Sequence, residues 1–141
     1  MKIILSTSLG GASYLHTLVF LLAPRNHIRT SAIIDTGSPE NILSYANAIR
    51  LQIPVNNLKE SEIIKIGGSI YNSKKFDKLK IKFLSDEGKV VEEKISVKIV
   101  QPTSPRNLNS GFDLIIGNDF LKREGYKLYS DMKNDVAYLE K

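Results

Sequence analysis

The chain of 141 residues has no cysteine and no tryptophan, and only two histidines. Without cysteine there is neither a disulfide scaffold nor a thiolate metal site. His16 and His27 are too few for a histidine-rich centre and are expected on a strand and in a loop. No metal is therefore expected. Long apolar runs are missing as well. LVFLLA, the most apolar stretch near the start, falls far short of the ~20 residues needed to span a bilayer. The polar segment STSLGGASYLHT separates it from the opening IIL, so a signal peptide is not expected. The expected location is cytoplasmic, with no membrane partner.

The formal charge is +5, with 42% apolar and 25% charged residues. These are values of an ordinary globular protein, and the length suits one domain spanning 1–141. A nucleic-acid surface would gather its basic residues on one face beside stacking aromatics. Here the lysines alternate with apolar residues, as in KLKIKF and KISVKIV, which reads as solvated strand faces. Nucleic-acid binding by an unrelated small β-barrel is the weakest of three readings.

What is present is mostly short β-rich runs between turns. A first strand is predicted over 2–8. Residues 14–23 and 28–35 form a hairpin that turns at Pro24 and Asn26. Residues 44–51, SYANAIRL, read as a helix capped by Ser44, with Tyr45, Ala48, Ile49 and Gln52 at helical spacing and Pro54 beyond its end. Gly67-Gly68 sits between two β-rich runs, a hairpin signal. Leu79, Ile81 and Phe83 alternate, turn at SDEGK, and alternate again through Ile95, Val97 and Ile99. Residues 101–111 read as a long surface loop. FDLIIG is a buried strand, NDFLKRE one or two helical turns ended by Gly125, and the last hairpin turns at Lys133-Asn134. The fold class is mainly β, a closed or strongly curved barrel with one or two short helices.

Two motifs stand out in that pattern. One is Asp35-Thr36-Gly37-Ser38 after the apolar Ala32-Ile33-Ile34. The other is Leu114-Ile115-Ile116-Gly117. With the Gly-Gly hairpin of IKIGGSIY between them, and KKFDKLKI after it, the chain resembles the retropepsin-like aspartic proteases from about residue 14 to residue 139. The longer chain and the helix at 44–51 look more like cellular and microbial members than retroviral ones.

That resemblance implies a closed acid-protease barrel and an aspartic endopeptidase. Asp35 would be the catalytic carboxylate. Thr36, Gly37, Ser38, Ile116 and Gly117 would support its loop, the Thr36 hydroxyl by reaching to a partner loop and Ser38 by bonding the carboxylate. Ile66, Gly67, Gly68, Ser69, Ile70 and Tyr71 would form a flap over a polypeptide substrate. No cofactor is implied, since the nucleophile is water held by carboxylates. Two close carboxylates share one proton, because both cannot ionise cheaply. On this view a burial penalty on Asp35 is part of its function. The sequence holds only one such Asp, so the resemblance implies an isologous C2 homodimer. Asp119 and Asp113 read as a helix-start and a turn residue.

The pattern also departs from the retroviral members. They carry an Asp two residues past the Gly and an Arg directly after the later apolar-apolar-Gly. Here Pro39 and Asn118 hold those places, and Pro39 has no N–H to offer a substrate. The alternative reading is accordingly a retropepsin-like peptide-binding or dimerisation domain with weak or no proteolysis.

Overall fold

The computed structural model describes residues 1–7, 14–66, 68–102 and 111–141. Ten strands run in chain order: β1 (Lys2–Ile4), β2 (His16–Leu22), β3 (His27–Asp35), β4 (Ile42–Ser44), β5 (Ile64–Ile66), β6 (Ser69–Leu84), β7 (Val90–Pro102), β8 (Leu114–Gly117), β9 (Lys127–Asp131) and β10 (Val136–Glu140). Helix α1 (Tyr45–Arg50) follows β4, a 3-10 turn covers Val55–Asn57, and helix α2 (Asn118–Glu124) follows β8.

Strands β2, β3, β8, β4, β7 and β6 pair in that order, and β6 returns to pair with β2, which closes a six-stranded barrel. Alternation explains which side chains fill it. Val19 and Leu21 of β2 are fully buried, while Leu18 and Phe20, which alternate with them, are exposed. In β6 the buried set is Tyr71, Ser73 and Phe76, then Leu79, Ile81 and Phe83. Tyr71 and Phe76 lie in different apolar clusters, on opposite faces of an unbroken register, and between Phe76 and Leu79 a bulge in the β6–β7 register shifts the phase again. Short β8 is buried along its whole length, in keeping with its parallel pairing to β3 and antiparallel pairing to β4.

Several expectations shift. The first strand is shorter than 2–8, with an isolated bridge from Ser6 to His16 beyond it. His27 opens β3 and is not in a loop. Helix α1 has the predicted Ser44 cap, whose Oγ accepts from the Asn47 N–H at 3.2 Å. Its buried side is Asn47 and Ala48, however, while Ile49 is exposed and Gln52 turns left-handed with φ 56°. The extended β4 just before it was not foreseen. Lys98 is buried and not solvated, because β7 at that point is packed on both sides and pairs in parallel with β4. The loop expected over 101–111 lies mostly outside the described residues; its ends are the last two residues of β7 and Gly111.

Beyond the barrel, β1, β10 and β9 form a separate three-stranded antiparallel sheet in that order. Ile3, Leu5, Ala137 and Leu139 press its inner face into the main core. Among the described residues, no helix is long and apolar enough to cross a membrane.

Candidate active site

Asp35 ends β3, and its register partner on β8 is Gly117. Inward-facing Ile34 and Ile116 anchor the two strand ends in the core, leaving Asp35 just past it. The chain turns at once. The Ser38 N–H donates to the Asp35 carbonyl at 3.1 Å, and the Gly37 N–H donates to Asp35 Oδ1 at 2.9 Å. The carboxylate is thus oriented by its own turn. A Cβ on Gly37 would lie 3.2 Å from that same Oδ1, so the glycine keeps the approach open.

The second motif holds the turn from behind. At the start of α2, the Asn118 N–H donates to the Ser38 carbonyl at 2.7 Å and the Asp119 N–H to the Pro39 carbonyl at 3.0 Å. Helix N-termini have such N–H groups to spare. Gly117, at φ −95°, is required here for space and not for an unusual dihedral: a Cβ there would lie 2.3 Å from the Glu40 carbonyl oxygen. Its N–H donates to Asn41 Oδ1 at 2.9 Å, and Asn41 Nδ2 donates to the Ser96 carbonyl at 3.0 Å. Asn41 therefore couples the Asp35 turn, β8 and β7. The sequence reading missed it. The only signal was a polar residue immediately before the apolar Ile42-Leu43, where nothing called for a turn.

Two expectations are corrected. The Ser38 hydroxyl donates to the Glu40 carbonyl at 2.8 Å and so does not bond the Asp35 carboxylate. Asp35 itself is exposed in the single chain, because the strand ends where it begins to face the cleft. The burial expected from the sequence is absent from the single chain. Thr36 beside it is exposed too.

Asp35 opens on a cleft of about 390 Å³ shared with Gly37, Ile42, Ile64, Ile66 and Ile115. Its far wall is the β5–β6 hairpin, in which Ile64 pairs with Tyr71, Lys65 with Ile70 and Ile66 with Ser69. Residues 67 and 68 make the connection; Gly67 falls outside the described residues. Tyr71 is buried with Ile42, Val100 and Ile115 in a second apolar cluster, against which Ile64 and Ile66 pack. The hairpin thereby stands on the cleft floor, while Ile70 near its tip is exposed. In a neighbouring pocket that shares Glu40 with this cleft, Lys98 Nζ lies 2.6 Å from Glu40 Oε1 and 3.6 Å from Glu62 Oε1.

No protein-family model matches the chain, and no curated protein matches it significantly. Solved structures do. A retropepsin-like aspartic protease from Rickettsia conorii superposes with a TM-score of 0.62 at 18% identity, over 99% of this chain and 89% of the other. The EIAV protease complexed with the inhibitor HBY-793 superposes with a TM-score of 0.52 at 17% identity, over 87% of this chain and 99% of the other. The chain has the retropepsin-like fold.

Proposed function

We propose that the chain, acting as one domain, is an aspartic endopeptidase that works as a C2 homodimer, with Asp35 from each protomer. The observation that carries this reading is Asp35 at the mouth of an apolar cleft, opposite a β-hairpin, on a turn held by Gly117 and α2. One Asp35 is ionised and takes a proton from water. The water oxygen bonds to the peptide carbonyl carbon, and the protonated Asp35 gives its proton to the carbonyl oxygen. Collapse of that intermediate breaks the C–N bond: the amine leaves with the proton first taken from water, and a hydroxyl of the intermediate returns its proton to the other Asp35, restoring the singly protonated pair. The two titrations belong to the pair. Isoleucines 42, 64, 66 and 115 favour apolar side chains beside the scissile bond.

Exposure of Asp35 in one chain fits a site finished by a second chain, where the two carboxylates desolvate each other. In place of the ion pair of retroviral members, Asn118 and Asp119 support the turn through their backbone N–H groups, and Asn41 through its side-chain Oδ1, which accepts from the Gly117 N–H. A second reading keeps the cleft but not the hydrolysis. Pro39 favours it, since it has no N–H to hold a peptide.

Cleavage of an unfolded protein substrate between about pH 3 and 7, with Asp35→Asn as control, tests the proposal. A bell-shaped acid profile that vanishes in the variant supports it. Equal cleavage by both proteins overturns it. A folded dimer that binds peptides without cutting them favours the second reading.

A further inference from the structure

We infer that Lys98 is a positioning residue for the β5–β6 hairpin. Its ammonium is anchored to Glu40, on the Asp35 side of the cleft, and draws Glu62 at the root of the hairpin toward that anchor. This rests on the protease reading of the site and names what sets the distance of its hairpin wall.

A lysine on a buried strand face needs a cause. Register puts Lys98 on one face with Ile42 of β4 and Lys75 of β6, and with Val100 two residues on. On that face Ile64 and Ile66 of the hairpin pack over the cluster of Ile42, Tyr71, Val100 and Ile115. Val100 is 1% exposed there. Lys98 is nearly buried as well, two residues from this apolar floor.

Its backbone is fixed to the Asp35 side. The Lys98 N–H donates to the Asn41 carbonyl at 2.9 Å, and Glu40, whose carboxylate meets the ammonium at 2.6 Å, is the residue before. The root of the hairpin is held differently. The Ser61 N–H donates to the Ser73 carbonyl at 2.8 Å, and the Ser73 hydroxyl donates to the Glu62 carbonyl at 2.5 Å. Both bonds run to β6, the hairpin's own second strand. The Glu62 carboxylate reaches the other way, to 3.6 Å from Lys98 Nζ. Glu62 stands two residues before Ile64, so this contact fixes where β5 begins relative to the turn that carries Asp35.

The two arms differ in strength. Glu40 is at hydrogen-bond distance and partly shielded, which makes it the lasting anchor. Glu62 is beyond hydrogen-bond distance and its side chain is 80% exposed, so water screens the pair and its loss costs little. The ammonium still favours the second carboxylate, because one partner compensates a nearly buried cation poorly. Lys75 adds a positive charge in the same pocket, while Asp119 and Arg123 in its wall offset each other. The outcome is a bias and not a lock: the hairpin is drawn down, and a polypeptide lifts it at small cost.

The chain has no cysteine, so one introduced thiol reports one place. Val100→Cys puts it beneath the hairpin, and Val97→Cys puts it in the barrel core, at a residue equally buried. Labelling of each thiol by a maleimide is followed in the full chain alone and with Glu62→Gln, Lys98→Met or both. Glu62→Gln should speed labelling at Val100→Cys about threefold and leave Val97→Cys unmoved. Added to Lys98→Met, it should change nothing further, since its partner is gone. In cleavage of an unfolded protein substrate, KM should rise by the same factor with kcat held. A merely structural Lys98 would speed labelling at both thiols in Lys98→Met and leave Glu62→Gln silent. Labelling at Val100→Cys that ignores Glu62→Gln, or a full second increment in the combined variant, would overturn the assignment. If Lys98→Met disturbs folding, Glu62→Lys takes its place. The reversed charge should speed labelling further than Glu62→Gln does, and an equal or smaller effect overturns the tie. Accelerated labelling in a chain that cleaves nothing keeps the tie and removes the protease. Cleavage with labelling and KM indifferent to Glu62 does the reverse.

Discussion

A Cβ placed on Gly117 would sit 2.3 Å from the carbonyl oxygen of Glu40 and 2.7 Å from that of Ser38. Both neighbours are backbone, so neither can rotate away. Gly117→Ala should push the Asp35 turn off α2 and cost about 1–3 kcal/mol, the usual range for overpacking. Urea unfolding gives the stability loss. On the proposed protease reading, peptide cleavage should fall further than stability, because the displaced segment carries Asp35.

Asn41 serves the same turn by hydrogen bonding. Asn41→Leu keeps the volume but leaves the buried Gly117 N–H without an acceptor, a loss of about 1–3 kcal/mol. Faster hydrogen exchange at the Gly117 amide would locate the damage. An unchanged exchange rate would show that the bond contributes nothing.

Lys98 and Glu40 are unequal partners. The Lys98 side chain is 10% exposed and that of Glu40 38%. Glu40→Gln strands a nearly buried ammonium beside Glu62 alone and should cost about 1–2 kcal/mol. Lys98→Met removes the buried charge and leaves Glu40 partly solvated, so its cost should be smaller. Reversal of that order in urea unfolding would contradict the assigned burial.

Tyr126 and Glu93 make a pH-dependent contribution away from the cleft. The Tyr126 hydroxyl donates to Glu93 Oε1 at 3.0 Å, and Lys141 Nζ lies 2.8 Å from the same oxygen. Burial, and then the bond to Glu93, push the tyrosine above its ordinary value. Burial pushes Glu93 up, but the bonds from Lys141 and Tyr126 outweigh it and hold the carboxylate below its ordinary value. A lowered carboxylate stabilises above its unfolded value, and that contribution disappears as pH falls through the folded one. A raised tyrosine stabilises below its unfolded value, and its contribution disappears as pH rises through the folded one. The stability difference between wild type and Tyr126→Phe should be flat between about pH 5 and 9 and shrink at both extremes. Denaturant unfolding across pH would reveal it.

Much of this was legible in the chain. Strands β2, β3, β6, β7 and β8 were visible because each alternates or runs apolar between turn residues. Ser44 and Gly125 marked helix ends by their own chemistry, the latter at φ 77°. The Asp35 turn and the strand at Gly117 could be paired only by resemblance, since 81 residues separate them and no local rule predicts a parallel contact. What stayed hidden has tertiary causes. Lys98 looked solvated because alternation describes one strand and not what later covers it. Asn41 and the outward face of α1 depend on neighbours distant in sequence. Exposure of Asp35 follows from where β3 stops, which no periodicity records.

That exposure carries a consequence for regulation. The single chain holds an exposed Asp35 side chain on a finished turn. On the two-chain reading, dilution is then an off-switch that needs no inhibitor. Well below the dissociation constant, halving the amount of chain leaves about a quarter of the pairs. Whatever gathers the chains in one place would ignite hydrolysis, and whatever scatters them would quench it.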